Sequence, residues 1–140
     1  FRCMLNQMVN IEREISMELI LLPDTFAVCR LPPTIDIPQW ALQNKTLLSI
    51  TYTSDELSLV CLEEMVPSSV QYEGSWRAIK VQGPLDFSLT GILVALAAPL
   101  AAAHIPIFAL STFDTDYLLL QEEHLSQAKV VLAQSGHQFM

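Results

Sequence analysis

The residues with the clearest chemical potential lie in two short segments of the second half of the chain. The first runs from Gly83 to Gly91 and carries Asp86, Phe87, Ser88 and Thr90 between its two glycines. It precedes a stretch of apolar residues at helical spacing, so it reads as a strand-to-helix junction. Such a junction presents unpaired backbone N–H groups and the positive end of a helix dipole, which together suit a carboxylate. Gly91 lets a ligand or a neighbouring backbone come close. The second segment holds Ser111, Thr112, Asp114 and Asp116 around a turn. Each residue also has a local structural reading. Asp86 and Ser88 are good helix N-caps, and aspartates at a turn commonly bond their own backbone.

Catalytic chemistry finds less support. His104, His124 and His137 have no Cys or carboxylate at metal-ligand spacing apart from Glu122 and Glu123 beside His124, and they read as surface histidines. There is no nucleophile elbow, phosphate-binding glycine loop or dinucleotide fingerprint. The Asp114/Asp116 pair has no nucleophile or metal site near it in sequence. No metal, no cofactor and no catalysis are expected.

Composition narrows the partners. Fifteen acidic residues against seven basic ones give a net charge of −8, and the cations are scattered, which argues against nucleic acid and anionic lipid. With 51% hydrophobic and 16% charged residues the chain has ample material for a core. Cys3, Cys29 and Cys61 form an odd set without paired spacing and read as buried, reduced thiols, a Cys29–Cys61 bridge being the less favoured alternative. Without a secretory leader pattern in the first residues, the expected location is cytoplasmic. Residues 1–16 are expected to be a disordered extension.

The elements that must position these residues follow from periodicity. From Phe87 to Phe113 there is no Asp, Glu, Lys or Arg, a length able to span a bilayer. Pro99 and Pro106, the alanine-rich middle and the acidic flanks Asp86 and Asp114 favour a buried helix followed by a buried strand instead. Leu89, Ile92, Leu93, Leu96 and Leu100 form its apolar stripe, and the helix is expected over Phe87 to Ala103. A strand is expected over Trp76 to Gln82, a hairpin from Ile105–Ser111 and Asp116–Gln121, a helix after Glu122 stopped at Gly136, and a final strand His137–Met140. The order β, α, β, β, α, β is the split βαβ unit of ferredoxin-like folds. In the first half, strands over Met17–Leu22 and Thr25–Leu31, a helical turn over Pro38–Leu42, and a hairpin of Leu47–Thr53 and Leu57–Leu62 repeat part of it. An offset of sixty aligns the halves, setting Ile50 on Leu110 and Glu56 on Asp116.

The stretches 22–31 (LPDTFAVCRL), 53–60 (TSDELSLV), 83–92 (GPLDFSLTGI) and 110–119 (LSTFDTDYLL) resemble small bacterial ACT-domain proteins. More distantly they resemble the ACT segments of aspartate kinases and of the CASTOR arginine sensors. The resemblance covers nearly everything from Met17 onward. It implies an α+β architecture of tandem ferredoxin-like (βαββαβ) ACT units with antiparallel sheets: 17–65, a linker 66–74, and 75–140. It implies a regulatory module that binds a small molecule, an amino acid, at an interface between units. The ligand-binding residues would be Asp86, Phe87, Ser88, Thr90, Gly91, Ser111, Thr112, Asp114 and Asp116, the hairpin taking the α-amino group. Thr51, Thr53, Ser54 and Glu56 are their first-half counterparts. A homodimer is expected. The alternative is a ligand-free oligomerisation module whose sheet edges pair.

Overall fold

The computed structural model describes residues 16–83 and 91–140. The expectations for residues 1–15 and for Pro84 to Thr90, with Asp86, Phe87, Ser88 and Thr90 among them, lie outside the described residues. The chain is mixed α+β with antiparallel strand pairing, as the alternating and helical periodicities require. It forms two compact units, residues 23–78 and, among the described residues, 16–22 with 79–140. Strands β1 (Glu18–Leu31) and β4 (Gln71–Val81) contribute residues to both.

The unit of residues 23–78 adds β2 (Ser49–Tyr52) and β3 (Leu57–Leu62) and orders its strands β2-β3-β1-β4. That is the ferredoxin-like order, with the two crossover helices shortened to single 3-10 turns, Gln39–Leu42 and Glu63–Met65. Prolines bound these connections. Pro38 occupies the N-cap of the first turn, where a missing N–H is tolerated, and Pro67 follows the second and blocks its continuation into an α-helix. Alternate residues of β1 and β3 (Ala27, Cys29, Leu31, Leu57, Leu59 and Cys61) face one way and are covered by Trp40, Leu48, Val66 and Val70. Cys29 and Cys61 are free and buried, their Sγ atoms 3.9 Å apart. The hydrogen bond with Cys61, and then burial, push the Cys29 thiol far up, which keeps its proton on.

Two expectations change in this region. Met17–Leu22 and Thr25–Leu31 are one continuous strand. The exposed Pro23 falls between the residues of β1 that pair with β7 and those that pair with β3, where a missing N–H is tolerated. The polar segment Gln71–Gly74, read as linker, is the start of β4, mostly exposed and therefore without the alternation that marks a half-buried strand.

The second unit follows the order β4, α1 (Ile92–Ala102), β5 (Phe108–Ser111), β6 (Asp116–Gln121), α2 (Leu125–Gln134) and β7 (Gln138–Phe139). Its strands lie β5-β6-β4-β1, with β7 paired to β1. The start of β1 takes the seat beside β4 that the last strand of a ferredoxin-like unit would occupy. For that reason β7 runs parallel to β1, matching Glu18 with Gln138 and Leu19 with Phe139. Leu19, Ile79, Val81, Leu96, Leu100, Leu118, Leu120 and Leu132 form the core between sheet and helices.

Both helices end in the same way. Gly136, with φ +94°, follows the cap of α2, and the N–H groups of Gly136 and His137 donate to the Ala133 and Leu132 carbonyls. His104, with φ +59°, does this after α1, where its N–H and that of Ile105 donate to Ala101 and Leu100. These are Schellman stops. Ile105 is therefore taken up by the helix end, and β5 starts at Phe108 rather than at Ile105. Helix α1, at 11 residues, is only about 16 Å long. Among the described residues no helix is long and apolar enough to cross a membrane.

Candidate functional site

The start of α1 is set by Gly91, which is its N-cap at φ +81°, ψ 0°. A residue in that left-handed region cannot continue a right-handed helix, so α1 begins at Ile92. Glycine has no side chain to bond the N–H groups of the first turn, and that turn holds no acidic residue. Of the expected apolar stripe, Ile92, Leu96 and Leu100 are buried, whereas Leu93 is 40% exposed. Gly91 itself accepts a hydrogen bond at its carbonyl from Ala95 at 2.8 Å.

The hairpin residues sort into two groups. Ser111 and Asp116 are opposite one another across β5 and β6, and the serine hydroxyl donates to Asp116 Oδ1 at 2.7 Å. Both flank the turn that closes the hairpin, with Ser111 exposed. Thr112 serves the turn: its N–H and hydroxyl donate to the Thr115 carbonyl at 2.8 and 3.1 Å, and its Oγ1 accepts the Thr115 N–H at 3.3 Å. Asp114 is exposed at the tip.

Thr115, which the sequence does not single out, anchors the hairpin turn to β4. It is 4% exposed, and its hydroxyl donates to the Val81 carbonyl at 2.6 Å. The hairpin turn is thereby tied to the end of β4, the strand that leads toward Gly91. Thr115→Val keeps the shape and removes the hydroxyl, leaving the Val81 acceptor short of a donor. It is expected to cost about 1–3 kcal/mol in chemical denaturation. Thr115→Ser, which keeps the donor, is expected to lose less.

The first half repeats the turn. The Thr53 N–H donates to the Glu56 carbonyl at 2.9 Å, and Thr53 Oγ1 accepts from the N–H groups of Asp55 and Glu56 at 3.1 Å each. The repeat is offset by 59 residues, not sixty: β2 and β5, β3 and β6, and the 3-10 turns Glu63–Met65 and Glu122–His124 all superpose in number at that shift. Thr53 thus corresponds to Thr112, and Glu56 to Thr115 rather than to Asp116. Matching by residue class alone tolerates a one-residue slip, because both hairpins are apolar on either side; strand register does not tolerate it, since a slip reverses every side chain. Glu56 sits 3.9 Å from Arg30, whose Nη2 also donates to the Asp55 carbonyl at 3.2 Å. Arg30 and Glu56 help line a cleft of about 240 Å³ with Ser58, Tyr72 and Glu73. A second cleft of about 330 Å³ is lined by Asp24, Thr25 and Glu63 among others.

The histidines differ from expectation in one case. His104 is exposed and His124 half-buried beside Glu123, but His137 is only 2% exposed. Among the described residues no group of three or more His, Cys, Asp or Glu side chains could hold a metal ion.

Comparison with known proteins bears on this arrangement. Residues 71–134 match a family model for the ACT domain, and residues 24–69 match a separate model for an N-terminal domain. The structure of protein Atu0741 from Agrobacterium tumefaciens is 37% identical, with a TM-score of 0.85, over 90% of this chain and 93% of that one. The regulatory subunit of aspartate kinase from Thermus thermophilus has the same fold at 10% identity, with a TM-score of 0.57 over 84% of this chain and 95% of that one. The human cytosolic arginine sensor for mTORC1 subunit 1 is 40% identical over 58 residues, 41% of this chain. That match spans only 18% of the sensor's own length.

Proposed function

Because this chain belongs to the ACT-domain family, we propose that it is a regulatory module that binds a free amino acid and performs no catalysis. The observation that carries the reading is the start of α1. Its glycine cap offers no side chain of its own to the first-turn N–H groups at the positive end of the helix dipole, and this suits a carboxylate. The α-amino group then needs an anion, and Asp116, with Asp114 at the turn tip, supplies it. Ser111 already orients Asp116 through their 2.7 Å bond, and Thr115 ties the turn to the end of β4. Asp86, Phe87, Ser88 and Thr90 complete the ligand contacts in this reading. An amino acid is the favoured ligand because the relatives include a protein named as an arginine sensor and an aspartokinase solved with aspartate. Association as a homodimer in the cytoplasm belongs to the same proposal; the exposed β2 carries no charge to discourage pairing at its edge.

A thermal-shift screen of the twenty amino acids tests it. An amino acid present at about one hundred times its Kd adds roughly 2.7 kcal/mol of apparent stability. In Asp116→Asn the same ligand is expected to bind more weakly by about 1.5–3 kcal/mol, the contribution of one charge-assisted hydrogen bond. If none of the twenty shifts the transition, the chain is not an amino acid binder, and the ligand-free oligomerisation module takes its place.

A further inference from the structure

His137 lies between two backbone groups that no neighbour in sequence supplies. The Met17 N–H donates to His137 Nδ1 at 3.1 Å, and His137 Nε2 lies 3.1 Å from the Ala95 carbonyl. With Nδ1 accepting, the neutral ring carries its proton on Nε2, which therefore donates to Ala95. The need for that donor originates in the helix. Ala95 would normally receive the N–H of the residue four positions on, but that residue is Pro99, inside α1 and without an N–H. Ala95 is fully buried, so water is no substitute.

Ala95 is also one turn from the cap, since its own N–H donates to the Gly91 carbonyl at 2.8 Å. A chain of bonds therefore runs from Met17, at the entry to β1, through the imidazole and Ala95 to Gly91. We propose that His137 is a positioning residue for the ligand site: it supplies the hydrogen bond that Pro99 withdraws and so holds the first turn of α1 in the geometry that receives the carboxylate. This inference rests on the amino acid reading above. Its own content is the pairing of a histidine with a proline that the sequence separates widely.

The two amide isosteres of histidine divide the claim. In His137→Gln the side-chain amide nitrogen reaches the place of Nε2 and keeps the donor to Ala95. In His137→Asn the amide oxygen takes the place of Nδ1, so the bond from Met17 survives while Ala95 loses its donor. Calorimetric titration with each of the amino acids that stabilise the parent chain, starting with L-arginine and L-aspartate, is expected to show His137→Gln close to the parent and His137→Asn weaker by about tenfold, the equivalent of one hydrogen bond. Adding Pro99→Ala to His137→Asn returns an N–H to the helix and is expected to recover most of the loss. Amide exchange at Ala95 should follow the same order, fast in His137→Asn and slowed again in the double variant. Equal affinities for the Gln and Asn variants, or no recovery with Pro99→Ala, would overturn the role of His137 while leaving the ligand reading intact. Absence of binding by the parent chain would overturn both. If His137→Asn does not fold, the comparison of Pro99→Ala with Pro99→Ala/His137→Asn decides the matter, equal affinities being the expected result.

Discussion

Gly91→Val is expected to abolish amino acid binding and to lower stability at the same time, whereas Gly91→Asn is expected to lose binding with most of the stability retained. The backbone at Gly91 has φ +81° and ψ 0°. Placing an ordinary L-residue in the left-handed region costs about 1–2 kcal/mol and a β-branched one more, while asparagine visits it readily. Valine therefore faces strain as well as bulk, and only asparagine isolates the effect of a side chain placed where the ligand carboxylate is to approach. Titration with whichever amino acid stabilises the parent, beside urea denaturation of both variants, separates the two contributions. Parent-like affinity in Gly91→Asn would mean that the carboxylate does not meet the start of α1.

Leu118→Ala is expected to be the most damaging single truncation in the core of the second unit. Leu118 is fully buried on β6 and belongs to the cluster that includes Ile79, Leu96, Leu100, Leu120 and Leu132. Removing its isobutyl group loses transfer free energy and leaves a cavity that strands on either side cannot close, for a cost of about 2–5 kcal/mol. Against a total stability of roughly 5–15 kcal/mol this is a large fraction, and Tm should fall by roughly 10 °C or more. Val130→Ala on α2, where the side chain is 55% exposed, is the matched control and should change little. A loss below about 1 kcal/mol for Leu118→Ala would show that the layer over β6 is loosely packed.

The elements whose signals are local were legible in the chain. Strands β3 and β6 occupy the residues that their apolar runs mark, Leu57–Leu62 and Asp116–Gln121. Helix α2 carries Ala128 and Leu132 inward and stops at Gly136, as a glycine after an apolar stripe dictates. The hydroxyls and aspartates of the hairpin are at its turn, and Gly91 is at a helix start. Family resemblance, carried by four short stretches, led to the ACT fold.

What the chain could not state alone is which elements meet. Pro23 reads as a strand break, because the sequence does not reveal that β1 changes partner around it. The repeat reads equally well at an offset of sixty, since residue class is blind to the register that hydrogen bonding enforces. Thr115 looks like one more turn residue until its hydroxyl is found on Val81, 34 residues away. His137 looks like a surface side chain until Pro99 leaves Ala95 needing a donor, 42 residues before it, and the Met17 N–H needs an acceptor, 120 residues before it. Periodicity, caps and turns are determined by neighbours within a few positions, so sequence carries them. The partners of buried polar groups and the seats of strands are determined by long-range packing, which only the folded chain brings into being.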